Sequence, residues 1–360
     1  MEQFSCKTRI ISGDGALRAL GELGIRRLFL VTDPYFAKNG VAQQIATVSK
    51  AEQTEIFSNV APDPSVELAA EGTKAVQNFK PDALVALGGG SAMDCAKAMV
   101  YFAGFPLRLI AIPTTSGSGS EVTDFSILTH DRIKHPLIDP KLCPEIAILD
   151  NSLLRELPPT LIADTGFDVL SHALEAYVAK NAGAVTDALA KDAFCAAYAL
   201  LPDSFAGNKS VRGKVHIAAT MAGLAFNQAG LGLCHAMAHS LGGVFHLPHG
   251  RLNAILLPQV IRCNALVAGE KYARLARAAG FAGAADTVAI RNLITGLTHL
   301  RKKLNMPETL LQAGISPREV REQSKQIVEA ALADPCCQTN PLGVENFMVH
   351  RILDGVTGRG

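Results

Sequence analysis

The chain has no tryptophan, few other aromatic residues and little charge for its 360 residues. Charged residues make up 19% of the sequence, the formal net charge is +1, and no run of basic residues is longer than three. This balance gives no electrostatic reason to expect nucleic acid or an anionic membrane as a partner. A small molecule is therefore the expected ligand.

Metal-type cysteine pairs and targeting segments are also missing. The eight cysteines include no CxxC pair, and the adjacent Cys336 and Cys337 are more typical of two unrelated thiols than of a disulfide. The first residues, MEQFSCKTRIISGDG, lack the cationic and apolar regions of an export signal. The apolar stretch 83–113 is interrupted by Asp94, Lys97 and Arg108, which argues against a membrane span. We therefore expect a cytoplasmic protein with reduced thiols.

The chain is long enough for two domains, and its two halves differ in pattern. In the first half, β-rich runs alternate with amphipathic stretches at 66–79 and 92–102. The runs lie at 28–32, 54–57, 83–87, 107–112 and 146–149. Strands alternating with helices predict a parallel sheet with helices on both faces.

The pattern changes at Pro158 and Pro159, since the sequence beyond them is rich in Ala and Leu with helical periodicity. We therefore predict an α/β domain over 1–157 and an all-helical domain over 158–360. The cleft between two such domains is the natural place for a site.

The most informative stretch lies in the predicted helical domain, at residues 164–250. Its segments DTGFDVLSHALEAY and GLCHAMAHSLGGVFHLPHGRLNAILLP together hold five of the chain's ten histidines and two aspartates within apolar, helix-forming sequence. These residues are Asp164, Asp168, His172, His235, His239, His246 and His249. Asp168 and His172 are four residues apart, so on a helix they share one face and are placed to bind a single ion.

Each histidine alone is more simply explained as a hydrogen-bonded core residue. The set favours a metal site, because buried polar groups need partners and one cation satisfies several of them. Three neutral imidazoles and one carboxylate would leave a net charge of about +1 on a divalent ion. Nitrogen and oxygen ligands suit Fe²⁺, Zn²⁺, Mn²⁺ or Ni²⁺, and the sequence does not choose among them.

Two glycine-rich loops predict a nucleotide site in the first half. The strand DALVAL runs into GGGS and then into a helix, an arrangement that lets backbone N–H groups approach a pyrophosphate. The second loop, PTTSGSGSEVT, adds hydroxyl donors after the strand LRLIAIP. A tight turn without a ligand would explain either loop alone, so the pair carries the prediction.

Two further features bear on the nucleotide. The GxG of ISGDGALRAL has Arg18 in place of the third glycine of a dinucleotide fingerprint, and we expect no phosphate there. Asp33 ends the strand RRLFLVT, where a carboxylate accepts hydrogen bonds from ribose hydroxyls and repels a 2′-phosphate. This favours NAD over NADP.

With the motifs GGGSAMD, PTTSGSGSEVT, TGFDVLSHALEAY, AGLGLCHAMAHSLGG and HLPHGRLNAILLP in this order, the chain resembles the iron-containing (group III) alcohol dehydrogenases. The resemblance is strong from Phe4 to about Asn264, and is closest to the short propanol dehydrogenases of propanediol-utilisation type. It implies a Rossmann-like α/β domain followed by an all-α domain, the architecture shared with dehydroquinate synthase.

The resemblance also implies roles for individual residues. It makes Asp168, His172, His235 and His249 the metal ligands, with Fe²⁺ as the expected ion. His239 falls on a position beside the nicotinamide, which suggests cofactor positioning or proton relay, and His246 is a bystander. The residues implied to bind the nucleotide are Asp33, Gly89, Gly90, Ser91, Asp94, Thr114, Thr115, Ser118 and Lys134.

The expected function is reversible, NAD-dependent oxidation of a small primary alcohol, with aldehyde reduction as the physiological direction. The ion would polarise the substrate oxygen while hydride passes between the alcohol carbon and the nicotinamide. Phe125 and Phe226 are candidate pocket walls and equally plausible core residues. By resemblance the protein is a homodimer or a higher homo-oligomer, and its enclosure in a bacterial microcompartment stays open.

Three alternatives stay open beside this function. The connection between Lys97 and Ile110 is shorter than is typical of the family, which leaves room for a functionalised short aldehyde such as 3-hydroxypropionaldehyde, succinic semialdehyde or a sulfoaldehyde. A lyase of the dehydroquinate synthase type would need clustered cations, but none precedes Arg251 in the 235–250 window. A purely structural ion would leave the glycine loops unexplained.

Overall fold

The computed structural model describes residues 3–130 and 133–358. The chain divides between Leu157 and Pro158 into two compact units. We call Ser5–Leu157 the α/β unit and the part from Pro158 onward the helical unit. Each is described by itself.

The α/β unit contains a six-stranded parallel sheet and a separate antiparallel hairpin. Its strands in chain order are β1 (Arg9–Gly13), β2 (Arg27–Thr32), β3 (Gln53–Phe57), β4 (Ala83–Gly88), β5 (Arg108–Pro113), β6 (Phe125–His130), β7 (Ile133–Ile138) and β8 (Ile146–Asp150). The sheet order is β1-β8-β5-β4-β2-β3, and β6 pairs with β7. The predicted fold class, a parallel sheet domain followed by a helical one, is confirmed.

Helices cover both faces of this sheet. They are α1 (Pro34–Lys38), α2 (Val41–Ser49), α3 (Val66–Phe79) and α4 (Gly90–Phe102). On β2, Phe29 and Val31 belong to one buried cluster with Met99 of α4, whereas Leu28 and Leu30 belong to another with Ile45 of α2. Alternating residues of one strand thus supply two cores, as expected for a sheet buried on both sides.

Helix α3 shows how local sequence sets these boundaries. Ser65 caps it, with its hydroxyl accepting a hydrogen bond from the Leu68 N–H at 3.1 Å. Ala69, Thr73 and Val76 are buried at helical spacing, so one face packs on the core while the other remains polar.

Two parts of this unit were not among the predicted strands. The first is β1, which pairs only with β8 at the edge of the sheet and lies in the sequence RIISG. Its largely exposed side chains remove the hydrophobic signal on which the other strands were predicted. The second is the β6–β7 hairpin, whose connecting residues 131–132 lie outside the described residues.

In the described part of the helical unit, all regular elements are helices. They are α5 (Pro159–Val178), α6 (Ala184–Phe205), α7 (Arg212–Ala229), α8 (Leu233–Phe245), α9 (His249–Ala278), α10 (Asp286–Lys303), α11 (Pro317–Ala333), α12 (Cys336–Thr339) and α13 (Asn346–Thr357), with a 3₁₀ turn at Lys209–Val211. By length and composition α9 would pass as a membrane span, as would the bent pair formed by Lys209–Ala229 and α8. Since 61% of the apolar window of α9 is buried inside the protein, its composition is that of a core helix.

Candidate active site

Three of the predicted nucleotide-binding segments meet at one edge of the parallel sheet. Strand β4 lies between β2 and β5, with Thr32 opposite Leu87 and Gly88 opposite Pro113. Because the three strands are parallel, Asp33, the GGGS loop and the PTTSGSGS loop all follow their carboxyl ends. Ligands of open α/β sheets bind at this edge.

The two glycine-rich loops lie against each other. A Cβ on Gly89 would stand 3.2 Å from the Thr115 hydroxyl, and one on Gly90 would stand 3.4 Å from Ser118 Cβ. Gly88 has φ of +151° and passes so close to α4 that a Cβ would lie 2.6 Å from Ala92 Cβ. The sequence-predicted residues of both loops are therefore together, with Ser91 in the first turn of α4.

Asp33 lies beside this loop and also caps α1. Its Oδ1 accepts hydrogen bonds from the N–H groups of Tyr35 and Phe36 at 2.8 and 3.1 Å. A Cβ on Gly88 would lie 3.9 Å from the other carboxylate oxygen, Oδ2. The carboxylate is thus held in position next to the glycines.

The remaining predicted cofactor residues have protein partners of their own. Thr114 is buried, and its N–H donates to the Gly88 carbonyl at 2.9 Å. Asp94 accepts from the Ser120 hydroxyl at 3.3 Å, and burial raises the pKa of this carboxyl to about 6 against the pull of Lys97. Lys134 pairs with Asp63 at 2.8 Å.

Sequence reasoning missed Lys97, a fully buried cation one turn after Asp94. Its Nζ donates to the Thr123 hydroxyl at 2.9 Å and to the Phe125 carbonyl at 2.8 Å. Burial lowers the pKa of Lys97 to about 8 although Asp94 opposes the change. Phe125, whose ring lies 5.7 Å from Nζ, thus belongs to the surroundings of Lys97 in the α/β unit.

The helical unit brings the four predicted metal ligands together from three helices. Asp168 and His172 lie one turn apart on α5, His235 lies in the first turn of α8, and His249 is the first residue of α9. Asp168 Oδ1 stands 4.0, 3.8 and 3.6 Å from Nε2 of His172, His235 and His249, respectively.

These distances fit a cation better than direct hydrogen bonds. Ligand atoms of Asp168, His235 and His249 all lie within 4.8 Å of one another. Bonds of about 2.0–2.2 Å to a shared ion place neighbouring ligand atoms roughly 3–3.5 Å apart, so a small contraction would close the shell. His249 is 28% exposed whereas His235 is 1% exposed, so the cluster opens on the His249 side.

Charge in the cluster is strongly coupled. Burial alone would raise the pKa of Asp168, but the imidazoles of His172 and His249 hold the pKa of that carboxyl far below its usual range. Burial alone would lower the pKa of His235, but the nearby carboxylates of Asp168 and Glu175 raise it to about 9. A divalent cation would take over the role of the bound proton.

Glu175, which sequence reasoning missed, fixes the orientation of His235. Its Oε2 lies 2.6 Å from His235 Nδ1 and accepts from the Gly232 N–H at 3.0 Å, while Oε1 accepts from the Cys234 N–H at 2.7 Å. The carboxylate therefore caps the start of α8 and keeps the proton of His235 on Nδ1, which leaves Nε2 for a metal. In the sequence, Glu175 stands seven residues after Asp168 and three after His172, and this helical spacing could have identified it.

Asn253, also missed, contacts the ligands from the other side. Its Nδ2 lies 2.9 Å from Asp168 Oδ1, 3.3 Å from His235 Nε2 and 3.2 Å from His249 Nε2. The residue is fully buried one turn after His249, and the thiol of Cys234 lies 3.5 Å from its Oδ1. A side chain that reaches three ligands at once helps to hold them in one arrangement.

Asp164, His246 and Phe226, which the sequence analysis also named, have other roles. Asp164 forms a bidentate pair with Arg251, at 3.1 Å from Nε and 2.8 Å from Nη2. His246 ends α8 in a left-handed conformation with φ of 55°. Phe226 of α7 stacks on His172 with ring centroids 4.4 Å apart, which makes it a wall of the cluster.

His239 lies beside the ligands. Its ring stacks on that of His249 with centroids 5.1 Å apart, and its Nδ1 lies 2.8 Å from Asp334 Oδ2. Burial would raise the pKa of Asp334, but the hydrogen bond from His239 helps to lower it to about 2. The imidazole of His239 is thus held by the Asp334 carboxylate through Nδ1.

Gly250 lets α9 begin directly against α5. A Cβ on Gly250 would lie 1.9 Å from the Asp164 carbonyl oxygen and 3.2 Å from Asp168 Cβ. We expect Gly250→Ala to force the helices apart, destabilise the protein by about 1–3 kcal/mol and weaken metal binding. Thermal unfolding and metal content measure both effects. Gly269→Ala on the same helix is the control, since its Cβ would make only an ordinary contact of 3.7 Å with Ile290; equal behaviour of the two variants would contradict the packing argument.

Family models match both parts of the chain. Residues 7–151 match the model described as "Iron-containing alcohol dehydrogenase", and residues 162–356 match "Fe-containing alcohol dehydrogenase family, C-terminal". The chain belongs to the iron-containing alcohol dehydrogenase family. The resemblance stated from the motifs is therefore confirmed, and this iron-containing alcohol dehydrogenase is an oxidoreductase.

Curated relatives agree with the family. The chain is 41% identical to 1-propanol dehydrogenase PduQ of Salmonella typhimurium and 40% identical to that of Citrobacter freundii, in each case over 98% of this chain and 99% of the relative. It is 36% identical to the NADPH-dependent butanol dehydrogenase of Clostridium saccharobutylicum, over 99% of this chain and 98% of the relative. The expected likeness to propanol dehydrogenases is confirmed.

Solved structures share the fold over the full length. The iron-containing alcohol dehydrogenase of Thermococcus thioreducens matches with a TM-score of 0.90 and 33% identity, covering 98% of this chain and 99% of that one. Sulfoacetaldehyde reductase of Bifidobacterium kashiwanohense, solved in complex with NAD⁺, matches with a TM-score of 0.89 and 26% identity over 100% of both chains.

Proposed function

We propose that this alcohol dehydrogenase uses NAD(H) and a divalent metal, Fe²⁺ by family, to interconvert a small propanol-like alcohol and its aldehyde. The observation that carries the proposal is that Nε2 of His172, His235 and His249 all lie within 4.0 Å of Asp168 Oδ1. We assign these four residues as the metal ligands. A cation held there would supply Lewis-acid polarisation of the substrate oxygen, and a bound dinucleotide would accept or donate the hydride.

The protein's own residues supply position and proton transfer. His235 is oriented by Glu175, and Asn253 spans three of the ligands. We assign His239 to exchange of the alcohol proton with solvent, because its ring adjoins His249 and its Nδ1 is held by Asp334.

We assign the nucleotide to the carboxyl edge of the sheet in the α/β unit. Backbone N–H groups of Gly89, Gly90 and Ser91 at the start of α4 suit a pyrophosphate, and Thr114, Thr115 and Ser118 line the adjoining loop. Asp94 and Lys134 remain proposed nucleotide residues; Asp94 contacts Ser120 of the second glycine-rich loop, and Lys134 pairs with Asp63.

The alternative chemistries are less well supported. Arg251, the cation nearest the ligand cluster in sequence, is paired with Asp164, which weakens its attraction for the phosphorylated substrate that the lyase reaction would require. The eight cysteines are free thiols, which supports a reducing, cytoplasmic setting.

An absorbance assay of NADH consumption tests the proposal. The full-length chain loaded with Fe²⁺ is expected to reduce propionaldehyde, with a higher kcat/KM than for 3-hydroxypropionaldehyde, succinic semialdehyde or sulfoacetaldehyde. The same protein after chelation is the matched control. No turnover with any of these aldehydes in the presence of metal would reject the function. A preference for a charged aldehyde would show that the substrate class is charged aldehydes and not propanol-like ones.

Asp33 provides a separate test of nucleotide choice. Asp33→Gly removes the carboxylate that would repel a 2′-phosphate, so the ratio of kcat/KM for NADH to that for NADPH is expected to fall by about tenfold or more. Asp139→Gly is the control, because Asp139 also caps a short helix by accepting from a backbone N–H, at 2.8 Å from Lys141. An unchanged ratio in Asp33→Gly would remove Asp33 from this role.

A further inference from the structure

A second group of metal-type donors lies next to the ligand cluster. His239 of α8, Asp334 at the end of α11 and Cys336 at the start of α12 each offer one ligand atom, and the three atoms lie within 4.8 Å of one another. The group does not overlap with the four assigned ligands. The two sets adjoin where the rings of His239 and His249 stack.

Asp334 already organises this group. Its Oδ2 lies 2.8 Å from His239 Nδ1, and its Oδ1 accepts from the Cys336 N–H at 2.8 Å. One carboxylate thus holds the histidine and the cysteine from two different helices. The side chains of His239 and Asp334 are partly exposed, at 17% and 14%, so an ion from solvent can reach the group from their side.

The donor types favour a thiophilic cation. Burial and the nearby Asp334 carboxylate raise the pKa of the Cys336 thiol well above its usual value, so the thiol stays protonated when no cation is bound. A coordinating cation reverses this preference, because thiolate sulfur is a strong ligand for it. The S–H bond breaks, sulfur bonds to the ion and the proton passes to solvent.

Charge balance allows a second cation beside the first. A thiolate, a carboxylate and a neutral imidazole bring a divalent ion to zero net charge, whereas the set around Asp168 leaves about +1. The second ion therefore adds little repulsion. Sulfur among the donors favours Zn²⁺ over Fe²⁺, in keeping with the general order of divalent affinities.

We propose that His239, Asp334 and Cys336 form a second metal site that takes Zn²⁺ and similar thiophilic ions and inhibits the enzyme by immobilising His239. Metal binding at this site stands on the donor geometry alone. Only the inhibition rests on the proposed function, since it requires His239 to take part in turnover.

Cobalt provides a spectroscopic test that does not depend on activity. The metal-loaded full-length chain is titrated with Co²⁺, and the bound metals are counted after gel filtration. We expect an additional ion per chain together with a near-ultraviolet sulfur-to-cobalt charge-transfer band, which the sulfur-free cluster around Asp168 does not produce. Cys336→Ser keeps the size of the side chain and is expected to lose both the band and the additional ion.

Cys337→Ala is the matched control, since Cys337 is the adjacent thiol and its Sγ contacts the Ala331 carbonyl at 3.0 Å. It is expected to keep the band and the ion. Absence of the band in the unchanged chain, or its persistence in Cys336→Ser, would overturn the site. Should Cys336→Ser fail to fold, Asp334→Asn takes its place and is expected to weaken Co²⁺ uptake at the second site about tenfold or more.

Inhibition is measured in the Fe²⁺-loaded enzyme with added Zn²⁺. The Zn²⁺ concentration for half inhibition is expected to be at least about tenfold higher in Cys336→Ser than in Cys337→Ala. Equal sensitivity of the two variants would reject inhibition through this site while leaving the cobalt result to decide binding. An enzyme inactive before Zn²⁺ is added would count against the proposed function and not against the site.

Discussion

Asp168→Ala is expected to lose the bound metal and to lower kcat/KM by about 10³-fold or more, while the helical unit stays folded. The reason is that Asp168 Oδ1 faces all three imidazoles at 3.6–4.0 Å, so its removal takes away the one anionic ligand of the set. Loss of Lewis-acid stabilisation costs several kcal/mol, and each 1.36 kcal/mol is about one factor of ten in rate. Elemental analysis, circular dichroism and steady-state kinetics give the three readouts.

Asp164→Ala is the matched control for this experiment. Asp164 lies one turn before Asp168 on α5 and is also an acid in a buried environment, but it pairs with Arg251. Its loss is expected to reduce stability and to leave the metal content unchanged. If Asp168→Ala retained full metal and full rate, the ligand assignment would be wrong, and His249→Ala would then be expected to retain them too.

Glu175 is the second position where a large effect is expected. In Glu175→Gln the side chain keeps an acceptor for His235 but loses its negative charge, so metal affinity is expected to fall about tenfold. In Glu175→Ala, His235 Nδ1 and the N–H groups at the start of α8 lose their acceptor, and the loss is expected to approach about 100-fold. Competition with a chelator of known affinity measures both values.

Asn340→Ala separates metal binding from simple support of α8. Asn340 is fully buried and also accepts from a backbone N–H of α8, at 3.1 Å from Leu233, but the acceptor of the His235 ring is Glu175. The variant is expected to unfold at a lower temperature and to bind metal within a few-fold of the unchanged chain. If Asn340→Ala and Glu175→Ala lost metal equally, Glu175 would act only through the helix.

Most of the fold followed from the sequence because its strands are buried and its helices amphipathic. Strands β2, β4 and β5 are largely hydrophobic runs, and Ser65 and Pro159 mark helix starts. Strand β1 carries no such run, because an edge strand with exposed side chains does not need one. The hairpin of β6 and β7 is half exposed, and its strands were not predicted from the sequence for the same reason.

The proposed metal ligands could also be selected from the sequence, since histidine and aspartate are unusual in apolar helices. Glu175, Asn253 and Gly250 were not found, because each acts on a ligand and not as one. A buried glutamate can be a helix cap, an asparagine a turn residue and a glycine a flexible one. Only the three-dimensional contacts show that all three residues adjoin the proposed ligand cluster.

All four assigned ligands belong to the helical unit, whereas the glycine-rich loops belong to the α/β unit. On the proposed assignments, the ion and the dinucleotide therefore share no binding residue. We expect a chain made without iron to retain its dinucleotide site, and a chain made without nicotinamide to retain its metal ligands.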